Sequence, residues 1–225
     1  MGKYMISINQ LAAFQKASEK GRANIIKQQK TPNTIKVSYY QLAKKRIKKS
    51  LEDGGAIRHI KDALTELAKR RPEKKNRQAD RQVSMEALNR FLELKLPVML
   101  KLPDIQFLKK ADYKNSTAIN GVDIIVAPDL IFTTMAGGRQ IVGGLKLHVA
   151  KGSAFDMQQQ QTIASGIYQY LKREVVKDNQ VVDPEWCISL DIFGNGFVRI
   201  EAAEADLVYR DKNIYAEIKR IWDAA

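Results

Sequence analysis

The chain is 225 residues long, 44% hydrophobic and 28% charged, proportions that can build a core and that exclude whole-chain disorder, a collagen-like repeat or a disulfide scaffold. Its single cysteine, Cys187, can close no internal disulfide, and two histidines, His59 and His148, cannot make a histidine-rich metal site. The net charge of +13 is concentrated: residues 1–80 hold 20 Lys and Arg against 7 Asp and Glu, whereas the remainder is balanced. Excess charge on one part of a fold costs self-repulsion, and a polyanionic partner is one reason to carry it. No apolar run approaches the roughly 18–20 residues needed to cross a bilayer. Met1 to Gln10 lacks an apolar stretch followed by a small-residue cleavage site. A cytoplasmic protein without membrane contact is expected.

The first 96 residues read as helical. Ser7 is a candidate cap for a first helix with Leu11, Phe14 and Ala17 inward, and Gly21 and then Thr31-Pro32-Asn33 break the pattern. A helix over about 38–51 is the clearest, because Tyr40, Ala43, Ile47 and Leu51 recur at spacings of three and four. Lys44, Lys45, Lys48 and Lys49 occupy its flanks and far side. A third helix, about 56–70, ends in Lys69-Arg70-Arg71 before Pro72. The basic stretch 72–82, with Lys74, Lys75, Arg77 and Arg81, reads as a linker and sets a boundary between 1–82 and 83–225. A fourth helix, about 84–95, buries Met85, Leu88, Phe91 and Leu92.

From Val98 the period becomes strand-like, with short apolar segments at 98–101, 105–108, 122–126, 130–134 and 141–149. Asn120-Gly121 and Gly137-Gly138 are turn signals between them. A helix over about 155–172 follows, with Ser153 and Asp156 spaced as a capping box. Strands at 187–193 and 197–202 flank Gly194-Asn195-Gly196, and a last helix at about 213–223 carries Ile214, Ile218, Ile221 and Trp222. The order is α+β, without the βαβ alternation of a dinucleotide-binding fold.

No phosphate-binding glycine loop, dinucleotide fingerprint or H-E-x-x-H helix is present. What carries chemistry is Gly121 to Phe132 followed by Val142 to His148. Asp123 and Asp129 flank an apolar stretch, and an aspartate entering a buried strand is costly unless it is hydrogen-bonded or holds a cation. Alternation puts Gly144, Lys146 and His148 on one strand face. Acids on one strand and a lysine on its neighbour suit metal-assisted phosphodiester hydrolysis, with Mg²⁺ or Mn²⁺ on the carboxylates. Plainer readings are a turn at Pro128-Asp129, a sheet-edge lysine at 146 and a β-bulge at Gly143-Gly144.

Pro128-Asp129, then a spacer, then Lys146 resembles the PD-(D/E)XK nuclease superfamily, and Gln160, Gln161 and Tyr168 are loosely similar to the glutamine–tyrosine motif of its RecB-type members. The resemblance covers about residues 84–193. It implies a restriction-endonuclease-like αβββαβ core, here with an extra β-hairpin strand and a C-terminal helix, in which Asp129 and Lys146 are catalytic and Asp129 and Asp123 hold metal. The acid two residues before the lysine is absent, since position 144 is glycine, and Asp123 or Glu86 would have to replace it. Tyr168 also lies seven residues after Gln161 instead of four.

The leading expectation is therefore a nucleic-acid-binding protein with a nuclease-like fold and an impaired catalytic site, DNA being favoured over RNA. Lys44, Lys45, Lys48, Lys49, Arg70, Arg71, Lys74 and Lys75 are the expected phosphate contacts. Two rivals are an active Mg²⁺- or Mn²⁺-dependent nuclease using Asp129, Asp123 and Lys146, and a non-enzymatic module that binds a protein partner through the same basic helices.

Overall fold

The computed structural model of the chain describes residues 3–31, 40–109 and 113–225. Among them no helix is long and apolar enough to cross a membrane. The break expected at Pro32-Asn33 lies outside the described residues.

A short strand β1 (Met5–Ser7) runs straight into helix α1 (Ile8–Lys16), where the Ser7 hydroxyl accepts the Gln10 N–H at 3.3 Å as an N-cap. Helix α2 (Glu19–Lys30) continues through Gly21, which therefore does not break the pattern. After the undescribed stretch come α3 (Gln41–Glu52), α4 (Arg58–Lys69) and α5 (Lys75–Glu93). The supposed linker 72–82 is thus largely the first two turns of α5, and the boundary expected at 82/83 falls inside that helix. Those turns contact little apolar surface, and Lys, Arg, Gln and Ala hold them helical by propensity.

Two sheets follow. One has the order β1-β4-β3, with β3 (Ser116–Ile119) and β4 (Val122–Ile125) joined at Asn120-Gly121, where both residues have positive φ. The other has the order β2-β5-β6-β7-β8: β2 (Gln106–Phe107), β5 (Leu130–Ala136), β6 (Arg139–His148), β7 (Gln180–Asp191) and β8 (Gly196–Val198). Residues 98–101 form a 3₁₀ turn and not a strand, because Leu100 alone is buried there. Strands β5 and β6 are antiparallel, whereas β6 and β7 are parallel and linked by α6 (Met157–Tyr170). The β6–β7 register shifts between Val142 and Gly144, which is the bulge anticipated at the glycine pair. Asp156, not Ser153, caps α6, in a reciprocal box with Gln159. A short helix α7 (Leu207–Arg210) and the terminal α8 (Lys212–Ala224) end the chain.

The five-stranded sheet buries a different core on each face. Leu130, Phe132, Leu145, Leu147, Ile188 and Leu190 pack with Ala43, Ile47, Ile60, Leu67, Leu88 and Phe91 of α3, α4 and α5. Ile131, Val142 and Cys187 pack instead with α1, α6, α8 and the small sheet, through Ile8, Phe14, Ile163, Ile167 and Ile218. The N-terminal helices are accordingly divided between the two sides. The molecule is α+β, a helical N-terminal region followed by mixed sheets with helices.

Candidate nucleic-acid interface and nuclease-like site

Alternation along β5, β6 and β7 puts Asp129, Lys146, His148, Ser189 and Asp191 on the sheet face that α1 and α6 cover. Pro128-Asp129 immediately precedes β5. There the Asp129 N–H donates to the Leu145 carbonyl at 2.7 Å, and its carboxylate accepts the Leu147 N–H at 2.8 Å. The Lys146 ammonium donates to the Ala127 carbonyl at 2.7 Å. Ala127 itself has a φ of 38°, a conformation that strains a non-glycine residue. Burial pushes the Lys146 amine below the usual lysine range, Asp129 opposes that shift, and Lys44 adds to it. Asp129 and Lys146 are therefore neighbours across β5 and β6, within electrostatic reach but without an ion pair between them.

The rest of a metal centre does not assemble around them. A Cβ on Gly144 would lie 3.0 Å from Ile167 Cγ2 and 3.2 Å from Leu171 Cδ1, so this position faces the apolar underside of α6. Asp123 stands on β4 in the other sheet, at a surface concavity with Lys114 and Glu174. Glu86 is engaged by Lys151 at 2.7 Å and by Arg90 at 3.5 Å. Among the described residues no group of three or more His, Cys, Asp or Glu is placed to hold a metal ion. Divalent ions such as Mg²⁺ want several oxygen ligands, and Asp129 with its hydrogen-bonded carboxylate does not provide them. The donor set does not fit a nuclease metal.

Other polar groups at this end of the sheet come from segments far apart in the chain. His148 Nε2 lies 2.9 Å from the Ser153 carbonyl and must carry the proton, so Nδ1 accepts from Asn9 Nδ2 at 3.3 Å. Burial lowers the His148 pKa; Asp191 acts against this, as does the Ser153 bond, while Lys44 and Lys146 lower it further. Asp191, fully buried, accepts the backbone N–H groups of Phe155 at 2.7 Å and Phe193 at 3.0 Å. Asn9 Oδ1, Gln160 Oε1 and Ser189 Oγ are buried without a hydrogen-bond partner among the described residues, each at a cost of about 1–3 kcal/mol. Gln161 donates to Glu204, and Tyr168 lies under the Lys172 ammonium, so neither is tied to Lys146. Gln160 was marked by its motif, whereas Asn9, Ser189 and Asp191 carried no signal beyond being polar in apolar surroundings.

The cations divide into two populations. Three of those of residues 3–30 meet acids of later segments: Lys3 with Asp223, Lys16 with Asp156 and Arg22 with Glu217. Those of α3–α5 find their acids within the same three helices and their connections, as Arg46 does with Glu66 at 3.1 Å. Lys48 pairs with Glu52 at 3.5 Å and Arg70 with Glu66 at 2.5 Å, while Arg71 donates to the Ala68 carbonyl at 2.7 Å. Lys44 is half-buried, and its charge reaches Lys146 and His148. Lys45, Lys49, Lys74 and Lys75 are exposed and enter no ion pair among the described residues. An open trough of about 1030 Å³ along α5 is lined by Arg70, Arg71, Arg81 and Arg90, with Gln78, Gln82, Asn89 and Glu93. No family model matches the chain, and no curated protein is significantly similar to it.

Proposed function

We propose that the protein binds nucleic acid through the basic surface of α3–α5, and that its nuclease-like domain does not cut. The observation that carries the binding reading is the α4–α5 junction. Arg70, Arg71, Lys74, Lys75 and Arg77 crowd there around the N-terminus of α5, whose first turn contains no acid. A helix N-terminus repels cations and favours anions. Glu66 offsets Arg70, and the exposed Lys74 and Lys75 at the helix start are the charges that phosphate would relieve. Residues 40–82 carry 14 Lys and Arg against 6 Asp and Glu, enough for several phosphate contacts.

The nuclease-like part of the reading rests on topology and on one pair of residues. An antiparallel β5–β6 pair followed by α6 and a parallel β7 agrees with the order expected of the PD-(D/E)XK core, with Asp129 and Lys146 adjoining at its centre. Gly144 beneath Ile167 and Leu171 leaves the pair without its second carboxylate.

Affinity for a DNA duplex, measured from low to high salt, tests the reading. The logarithm of the binding constant is expected to fall linearly with the logarithm of salt, by about 0.9 per phosphate contact, and Lys74→Glu with Lys75→Glu to flatten that slope. Absent binding or a flat dependence defeats it. The same duplex is expected to survive incubation with Mg²⁺ or Mn²⁺. Cleavage that disappears in Asp129→Ala and in Lys146→Ala would instead establish an active nuclease.

A further inference from the structure

We infer that α5 is a base-reading helix that enters the major groove of duplex DNA, an inference that rests on the binding proposed above and sharpens it. Helix α5 buries Ser84, Ala87, Leu88 and Phe91 along one stripe. At 100° per residue, the opposite side carries Gln78, Gln82, Asn89 and Glu93, all exposed, with the half-buried Glu86 among them, and these side chains line the open trough. Amide side chains on an outward helix face are the groups that pair bidentately with adenine in the major groove. Arg81 lies on one flank of the stripe and Arg90 on the other, with Arg70 and Arg71 at the N-terminal end. Arg81 and Arg90 are held by the protein itself, so the exposed Lys74 and Lys75 at the start of α5 are the groups left to meet phosphate while the amides face the bases.

The local bonds separate readers from supports. The Gln78 amide donates to the Pro72 carbonyl at 3.0 Å, so it braces the α4–α5 loop. Arg81 donates to the Leu67 carbonyl at 2.6 Å and to that of Ala68 at 3.3 Å, which ties the C-terminus of α4 to α5. Glu86 is neutralised by Lys151 and Arg90 and does not repel the approaching strand. Gln82 and Asn89 make no hydrogen bond to another side chain or loop among the described residues, and both are left to the ligand. Two helical turns separate them, about 10 Å along the axis, which is close to three base-pair steps. A helix of about 10–12 Å diameter fits the major groove of B-form DNA, whereas the major groove of A-form RNA is too narrow to be read by side chains. The occupant is duplex DNA.

Selection from a random duplex DNA library, followed by affinity measurements on the enriched duplex, a scrambled duplex and the RNA duplex of the enriched sequence, tests this. The wild type is expected to prefer the enriched over the scrambled DNA by roughly tenfold or more, with A·T pairs spaced by about three steps, and to bind the RNA no better than the scrambled DNA. Gln82→Ala with Asn89→Ala is expected to abolish the preference while keeping affinity for scrambled DNA; both residues are exposed, so the fold persists. Lys74→Ala with Lys75→Ala is expected to weaken both DNA duplexes by the same factor. Salt-dependent binding without preference, or a preference that survives the amide double variant, overturns the inference and leaves the binding proposal standing. No binding to any duplex removes both.

Discussion

Gly144→Asp writes the missing acid of the nuclease pattern back into β6. The added Cβ would stand 3.0 Å from Ile167 Cγ2 and 3.2 Å from Leu171 Cδ1, closer than the ordinary contact range of 3.4–4 Å. Gly144→Ala isolates that crowding. Overpacking of this kind costs about 1–3 kcal/mol, against which a strand glycine replaced by alanine recovers about 0.5–1 kcal/mol. The alanine variant should therefore lose at most about 2 kcal/mol. Aspartate adds a carboxylate held against two apolar side chains, with Lys146 on the same strand face as its nearest available cation. Dehydrating an ion costs several kcal/mol even after relaxation, so a total loss of about 3–5 kcal/mol is expected. That is a large part of the roughly 5–15 kcal/mol that holds a typical domain folded. Urea unfolding followed by the fluorescence of Trp186 and Trp222 measures it, with and without Mg²⁺. An aspartate variant within about 1 kcal/mol of the alanine variant would refute the reasoning. So would Mg²⁺ stabilising the aspartate variant alone, since an ion at a hundred times its dissociation constant adds about 2.7 kcal/mol and would show that Asp129 and the new acid do make a metal site.

Three other outcomes are expected. Ser165→Ala removes a buried hydroxyl that donates to the Ala205 carbonyl at 2.8 Å and accepts the Val208 N–H at 3.1 Å; Gln169 still donates to that carbonyl at 3.0 Å, so the orphaned Val208 N–H should lower stability by about 1–3 kcal/mol in urea unfolding. Asp156→Ala removes the N-cap of α6 and the partner of Lys16, with an expected loss of about 1 kcal/mol, which Asp156→Asn should largely spare. His148 has a folded pKa below its usual 6.5, so it contributes stability above the unfolded pKa that is lost as pH falls toward the lower folded value. The unfolding free energy should drop between pH 7 and 5 by up to about 1.4 kcal/mol per unit, and His148→Gln should flatten that slope; an unchanged slope would show that another group titrates.

Helices with a periodic apolar stripe were legible from residues alone, and α3 and α4 lie within three residues of their expected ends. Elements without such a stripe were not. The first turns of α5 face water, so they resemble a charged linker, and Gln78 and Gln82 were hidden with them. Strand β1 is three residues long and owes its existence to β4, over a hundred positions away; β3 is the polar run Ser116-Thr-Ala-Ile119, which pairs because Asn120-Gly121 turns it back. The nearness of Asp129 to Lys146 followed from strand alternation. The polar surroundings of His148 did not, because Asn9, Ser189 and Asp191 arrive on α1 and β7 from opposite parts of the chain.

The pairing of β1 with β4, and of α1 and α2 with α6 and α8, also sets an order of assembly. Helices α3, α4 and α5 are neighbours in sequence and can collapse on one another as they emerge from the ribosome. Residues 3–31 cannot, since α6 and α8, whose side chains share a core with Ile8, Phe14 and Ile26, follow them by well over a hundred residues. At about 5–20 residues per second this nascent segment waits roughly 10–40 s with those side chains uncovered. Over that interval it is the segment of the chain most in need of a chaperone, and the last to become resistant to protease.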